Sequence, residues 1–402
     1  MKLVARHPIA FALAALVLFA ALWPLPPLVD AVTGQPPGDA DLVRPFFYVL
    51  FAPLSDTLDA LTFVSLGRAW ALVGTWALLL AAWGALRPGT PRRRLVRAGL
   101  GVAAVVLLAG ATVVLPRPVP RIVSADSAAT VIDYHAHTSA SHDGRRGWSA
   151  TDLAAWHAAQ GFAAAYVTDH NVPYAPLSPP ADLPVRLLPG VEWSVYRQHI
   201  VALGDVKPIV RDSFSRDTPA LLRLFAELHR QGALAIASLP EYWDSHREDL
   251  EAFVTAGVDG FEIVNCAPKG LAFPPAARAD VLELAARHDL LVTGASDNHG
   301  WGKVTCVWNV THPATHGFRS NHVFARPLAL AQGAHPAWEA ALTQPWLMLR
   351  SLSWSERMSW LTWIALIVLY RAQPRRQGQP AGLGILARSL GATPADPRLE
   401  SH

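Results

Sequence analysis

His135 and His137 stand two apart in the run VIDYHAH, which reads as a β-strand. A period of two puts both imidazoles on one face, a spacing suited to chelating one cation. A lone His-x-His pair says little. Here it is followed, in order, by Asp143, by Thr168-Asp169-His170-Asn171, by Gly190-Val191-Glu192, by His199 and by Ser296-Asp297-Asn298-His299. Mixed imidazole and carboxylate donors suit Zn²⁺, Mn²⁺ or Fe²⁺. So many donors exceed what one ion takes, and the count implies two or three ions with Glu192 as a natural bridge. Asp169 precedes a ligand and is expected to orient its neighbours by hydrogen bonding. Arg145, Arg146, Lys269 and Lys303 follow strand ends and are candidates for holding an anionic substrate.

The elements that must position these residues follow from the pattern around them. The strand candidates are VIDYHAH, AAAYVTD, RLLPGVEW, HIVALG, ALAIAS, GFEIVN and LLVTGASD. Between them lie helical stretches such as TDLAAWHAAQ and PPAARADVLELAARH, with Thr151 and Thr218 as N-cap candidates and Gly161, Gly232 and Gly257 as C-terminal caps. Strand–helix alternation argues for a parallel α/β barrel or sheet, and seven strands favour barrel-like closure. The candidate ligands fall at or just beyond strand C-termini, where such barrels build sites. His199 is the exception, since it opens its strand. No Gly-x-Gly-x-x-Gly follows the first strand and no Walker sequence occurs.

The segments DYHAHTSASHDG, YVTDHN, LLPGVEW, QHIVALG and TGASDNHG resemble, in order, the motifs of the PHP (polymerase and histidinol phosphatase) metal-dependent hydrolases over about residues 130–305. The resemblance implies a distorted (β/α)7 barrel and hydrolysis, most often of phosphate esters, by a metal-bound hydroxide. It also implies that His135, His137, Glu192 and Asp297 hold a first ion, and that Asp143, His170 and His299 hold a second. Glu192 and His199 would contribute to a third, and His142 competes for the role of Asp143. The family usually places a His-Pro pair after its fifth strand; here Leu239 precedes Pro240, with Ser238 and His246 as poor substitutes. Two ions, or a weakly held third, are the expectation. Glu262 is as readily buried structure as a substrate contact, and Trp301 and Trp308 are either site walls or core. His157, His229 and His288 read as surface or helix-end residues, and His312, His316 and His322 as incidental.

Composition places this site beside a membrane. The 402 residues are 51% hydrophobic and only 16% charged, against about 25% charged in soluble chains. Residues 121–350 hold 18 basic and 23 acidic side chains, and the flanks hold 16 and 8. The basic balance therefore belongs to the flanks, which points to membrane-flanking arginines and away from nucleic acid. Residues 1–118 are expected to form a membrane region with spans at about 8–24, 69–86 and 98–116, each near the ~20 residues a crossing needs. Residues 45–65 carry Asp56 and Asp59 and read as interfacial or re-entrant. The hydrolase-like domain covers 121–330, a connection 331–357, a fourth, short span 358–371, and a disordered tail 373–402. The arginine loop at 87–97 should be cytoplasmic. That leaves the domain on the periplasmic or extracellular side.

Cys266 and Cys306 read as two buried thiols, with a disulfide as the alternative in an oxidising compartment. Three activities compete: a phosphoesterase acting on an anionic small molecule, a hydrolase of amides or carbamates, and a metal-bound sensor without catalysis. The near-complete ligand set argues against the last.

Overall fold

A computed structural model describes residues 2–174, 182–195, 198–210, 217–312 and 321–373. The chain opens with helices α1 (Lys2–Arg6) and α2 (Pro8–Ala20), then β1 (Val29–Asp30), β2 (Ala40–Val43), α3 (Phe46–Leu50), α4 (Ala52–Thr62), α5 (Leu66–Leu86), α6 (Pro91–Val114) and β3 (Arg121–Ser124). Next come β4 (Thr130–Ala136), α7 (Ala150–Ala159), β5 (Ala164–Val167), β6 (Arg186–Val195), β7 (Gln198–Leu203), α8 (Thr218–Arg230), β8 (Leu234–Ser238), α9 (Trp243–His246), α10 (Leu250–Thr255) and β9 (Gly260–Asn265). The last elements are α11 (Pro275–His288), β10 (Leu291–Ala295), β11 (Val307–Thr311), β12 (His322–Ala325), α12 (Pro327–Leu330), α13 (Ala340–Ser351) and α14 (Trp354–Ala372).

The seven strand candidates become β4 to β10, neighbours in sequence order within one mixed sheet. The sheet curls until its first and last members of this set meet: Asp297 N donates to His135 O at 2.9 Å and His137 N to Asn298 O at 3.2 Å. Helix starts differ slightly from expectation. Ser149 closes a capping box with Asp152 ahead of Thr151, and Asp217 caps α8 ahead of Thr218. One strand departs more deeply. β7 runs antiparallel to both β6 and β8. Val195 pairs with Gln198, leaving two residues between the strands, and a parallel crossover needs a dozen or more.

Beyond β4 the sheet continues through β11, β12 and β1, all antiparallel. Separately, β2 pairs with β3. The N-terminal region is thus stitched into the sheet across the expected 118/121 boundary. The main apolar cluster does the same, uniting Val17, Ala52 and Phe63 with Trp193, Phe225, Phe261 and Trp360. Asp56 and Asp59 are buried against protein partners. Trp360 Nε1 donates to Asp56 at 2.9 Å, and Tyr48 Oη and Arg117 Nη2 donate to Asp59 at 2.8 and 3.2 Å.

Among the described residues two helices are long and apolar enough to cross a membrane, α5 with 21 residues and α6 with 24. At 1.5 Å per residue α5 is about 32 Å long. The two form a tight hairpin because glycines let the backbones meet. A Cβ at Gly84 would lie 2.7 Å from Ala98 N, and one at Gly101 2.9 Å from Leu80 Cβ. The first apolar segment forms only the 13 residues of α2, and α14 has 19. The expected tail, from 374 onward, lies outside the described residues, as does His316.

Cys266 and Cys306 are joined in a disulfide with Cα atoms 5.7 Å apart, so the free-thiol reading is corrected. The curl of the sheet brings together the residue after β9 and the residue before β11, 40 positions apart in sequence.

Candidate metal centre

All eight ligand candidates, and His142 with them, meet on one rim of the curled sheet. Their donor atoms form overlapping triads within 4.8 Å: His135, His137 and Asp297; His137, His170 and His299; His170, Glu192 and His199; and His142, Asp143 and His170. The reversal of β7 explains His199. The start of an antiparallel strand lies at the same rim as the ends of its neighbours, and His199 pairs with Ser194 of β6 and Ser238 of β8. Asp297 reaches the rim through a left-handed backbone, φ +46°, which L-residues with a side chain seldom adopt away from special sites.

Three of the imidazoles are aimed by a partner on the far nitrogen. His135 Nδ1 lies 2.9 Å from Glu262 Oε2, and His137 Nδ1 2.9 Å from Ser141 Oγ. His299 Nδ1 lies 3.0 Å from the carbonyl of Asp297. Asp169 accepts from Thr138 N and Thr138 Oγ1 at 2.6 and 2.7 Å and so holds the turn after His137. Ser141 Oγ also accepts from His170 N at 2.9 Å. Glu262 is itself held by Ser238 Oγ and Asn265 Nδ2, both at 2.8 Å, and Asn265 Nδ2 also donates to Asp297 Oδ2 at 3.0 Å.

The opposite atoms turn inward and have no hydrogen-bond partner. These are His135 Nε2, His137 Nε2, His170 Nδ1, His299 Nε2, Asp297 Oδ1 and both oxygens of Glu192. They are near one another nonetheless, with His137 Nε2 3.0 Å from Asp297 Oδ1 and His170 Nδ1 2.9 Å from Glu192 Oε2. Buried polar atoms are normally satisfied. A cluster of orphaned nitrogen and oxygen donors converging on common points is what divalent cations would satisfy, so these residues fit a metal centre. Charge agrees at His137, which burial pushes down to about 3, as a neutral ligand requires, whereas at His135 burial is outweighed by the surrounding carboxylates, which raise it, so an ion there must displace a proton. Burial opposes ionisation of Glu192, yet His135 and His199 hold its carboxyl well below the usual range. Burial also lowers His299, but Asp143 and Asp297 outweigh it and raise it to about 9.

The remaining candidates sort by position. Asp143 faces His299 Nε2 at 3.2 Å and His170 Nε2 at 3.5 Å, whereas His142 is largely exposed. Leu239 is fully buried in the main apolar cluster, and the side chain of His246 lies outside the described residues. Lys269 lines the cavity over the cluster. Arg145 and Arg146 are exposed and Lys303 half-buried, and none of the three is among the cavity's lining residues. Trp301 lines the cavity; Trp308 is buried core.

His157 is not a surface residue. It is fully buried, with Nε2 2.8 Å from Asp133 Oδ2 and Nδ1 2.8 Å from the Leu153 carbonyl, which braces β4 from behind. His229 lies 2.8 Å from Asp259, and His312 2.9 Å from Asp126. Two groups escaped the sequence reading altogether. Glu241 and Tyr242 line the cavity, with the Tyr242 ring 4.7 Å from that of His199. Burial and Asp297 push the Glu241 carboxyl up to about 7. Their signal was the run Pro240-Glu241-Tyr242 just past β8, at the same rim as the ligands.

No family model matches the chain, and no curated protein matches it. Among solved structures, PsfC from Pseudomonas syringae PB-5123 is similar over 54% of this chain and 98% of its own, at 17% identity and a TM-score of 0.37. A protein of Bifidobacterium adolescentis ATCC 15703, provisionally described as a metal-dependent phosphoesterase, is similar over 56% of this chain and 97% of its own, at 18% identity and a TM-score of 0.33. The lesion-specific endonuclease PfuEndoQ from Pyrococcus furiosus is similar over 52% of this chain and 56% of its own, at 11% identity and a TM-score of 0.30. What the site can do therefore follows from its own residues.

Proposed function

We propose that this chain is a membrane-anchored, metal-dependent hydrolase of phosphate esters, built on a distorted (β/α)7 barrel of the PHP type. The reading is carried by the inward-facing donor atoms of His135, His137, His170, Glu192, Asp297 and His299, buried and without hydrogen-bond partners. Strands β4 to β10 would be the barrel wall.

Divalent ions bound there, Zn²⁺, Mn²⁺ or Fe²⁺, would make water nucleophilic at neutral pH and neutralise charge on phosphate oxygens. His135, His137, Glu192 and Asp297 would hold one ion and Asp143, His170 and His299 the second. One oxygen of Glu192, Oε2, faces both His135 Nε2 and His170 Nδ1, at 3.2 and 2.9 Å, and the other, Oε1, faces His199 Nδ1, so this carboxylate would serve more than one ion. Leu239 supplies no donor where a third ion would need one, so the site is read as holding two. Glu262 and Ser141 orient His135 and His137, Asp169 fixes the turn between them and Asp143, and Lys269 receives the substrate's negative charge at the cavity mouth.

Helices α5 and α6 would anchor the chain, with the arginine loop between them in the cytoplasm and the metal centre outside. The disulfide supports that side, since cytosolic reductants keep thiols reduced. The test uses the full chain in nanodiscs, loaded in turn with Mn²⁺, Zn²⁺ and Fe²⁺, on a panel of phosphomonoesters, phosphodiesters and amides. Ester hydrolysis should appear, vanish with chelator and fall at least about hundredfold in His137→Ala. Turnover of amides alone, or of nothing with any metal, would overturn the reading.

A further inference from the structure

The cavity over the metal cluster does not end at the hydrolase rim. Its ≈ 840 Å³ is lined at one end by ligand candidates including Asp143, His170 and Asp297, and at the other by Leu61, Val64, Leu66, Ala69 and Val113. Those five belong to the end of α4 and its following loop, the first turn of α5 and the last turn of α6. One open space therefore joins buried polar donors to the apolar hairpin. The two ends are mechanically linked as well. Leu66 N donates to Pro268 O at 3.0 Å, so α5 starts on the loop that presents Lys269.

The apolar end is open. Leu66 is 50% exposed and Val113 38%. Past them the hairpin surface stays apolar, with Trp70 and Leu107 each 73% exposed, and no residue of α6 is buried. A surface of this kind marks a lipid or ligand contact. The arginines of the hairpin loop sit at its far end, about 30 Å away along α5, which places the cavity at the opposite boundary of the hydrocarbon layer.

We infer that the substrate is an amphiphile, a phosphate ester on a long hydrocarbon tail, with its head at the metal cluster and Lys269 and its tail along the start of α5 and the end of α6. This rests on the phosphoesterase reading above and narrows it to a lipid-borne ester. A small soluble ester would fill the polar end and leave the apolar arm in water. A tail leaving the cavity between Leu66 and Val113 passes directly onto the lipid-facing surface of the hairpin.

The test uses the full metal-loaded chain in phosphatidylcholine nanodiscs and soluble alkyl phosphonates, which bind without turnover. Each methylene seated on an apolar wall is worth roughly fourfold in affinity, so hexylphosphonate should bind at least about tenfold tighter than methylphosphonate. Ala69→Trp, which narrows the apolar arm, should shrink that ratio to below about threefold. A hexylphosphonate tipped with a diazirine should label residues 61–69 or 112–113, and excess inorganic phosphate, filling only the head end, should displace it. Equal affinity for the two phosphonates, or labelling elsewhere that phosphate does not displace, would overturn the inference. The ratio and the labelling in the unmodified chain decide the matter even if Ala69→Trp does not fold. Chain-length-dependent binding without hydrolysis of any ester sinks the phosphoesterase reading and leaves the amphiphile site standing. Hydrolysis of short esters with no chain-length effect does the reverse.

Discussion

Replacing Glu262 by Gln should weaken metal binding without touching a ligand. Glu262 is buried at 1% exposure on β9, with Oε2 2.9 Å from His135 Nδ1 and Oε1 accepting from Ser238 and Asn265 at 2.8 Å. A carboxylate there accepts from Nδ1–H and so leaves Nε2 bare and pointed at Glu192 and Asp297. Glutamine has the same shape but a single acceptor oxygen. If that oxygen stays on Ser238 and Asn265, its amide N–H faces Nδ1 and favours the tautomer with a proton on Nε2, which blocks the ligand atom. If the amide turns over, an N–H group faces the donors of Ser238 and Asn265. Either way an orienting bond is lost. Such partners typically contribute 10- to 100-fold in metal affinity, or about 1.4–2.7 kcal/mol. Chelator competition reads this directly. Thermal unfolding reads it through linkage: metal at a hundred times the native Kd stabilises the native chain by about 2.7 kcal/mol, and a variant binding 30-fold less tightly by only about 0.9. Affinity within twofold of native, with the fold intact, would refute the assignment of Glu262 as the group that aims His135.

Other consequences can be checked separately. His157→Leu strips Asp133 Oδ2 of its buried partner, leaving His135 N and Ser296 N on Oδ1, and should cost about 3 kcal/mol, read as a lowered unfolding midpoint; a change under about 0.5 would mean that His157 does not brace β4. Cys306→Ser opens a 40-residue separation and should cost up to about 4 kcal/mol on loop entropy, while denatured, unreduced native chain should take up no thiol reagent. Gly84→Leu should destabilise the hairpin by about 1–3 kcal/mol through its clash with Ala98, whereas Gly74→Leu, with nothing within 4 Å of its added Cβ, should be near neutral. Cysteines placed at Arg146 and at Arg92 report topology: an impermeant maleimide on intact cells should label the first and spare the second, and the opposite pattern reverses the orientation.

How much of this was legible in the sequence depended on whether the signal was local. The residues that gather at the candidate site were readable at the ends of short apolar runs, because a strand end followed by His or Asp is written in consecutive residues. The direction of β7 was also written there, in the two-residue gap between Val195 and Gln198, yet strand–helix alternation elsewhere outweighed it. His199 looked misplaced for that reason alone. What could not be read was pairing at long range. β1 is two residues, Val29 and Asp30, held against Phe324 and Ala325, and no periodicity exists over two residues. His157 carries a helical surface pattern on its own helix, and only the packing of α7 on β4 buries it against Asp133. Cys266 and Cys306 sit far apart in sequence and become neighbours only once the sheet has curled.

The polar residues inside the apolar N-terminal region are where these long-range links matter most for function. Asp56 and Asp59 would be costly on a helix facing lipid. Buried, they instead tie α4 to three distant segments: Asp56 to Trp360 of α14, and Asp59 to Arg117 after α6 and Arg326 before α12. Tyr48 of α3 joins through Asp59, and the Arg326 guanidinium also lies over the Phe63 ring at 5.2 Å. Nearby, Gln344 of α13 donates to the carbonyls of Ala60 and Phe63 at 2.6 and 3.2 Å. Every one of these contacts pins α4 and the 63–65 turn, the same stretch that supplies Leu61 and Val64 to the apolar wall of the cavity. A simple tether would need no such network, since hydrophobic helices anchor a domain without buried ions. Charges that must be kept paired are a poor way to gain stability but a good way to fix one helix at one place. The residues holding the apolar wall of the cavity are therefore as much part of the site's shape as the histidines that face it.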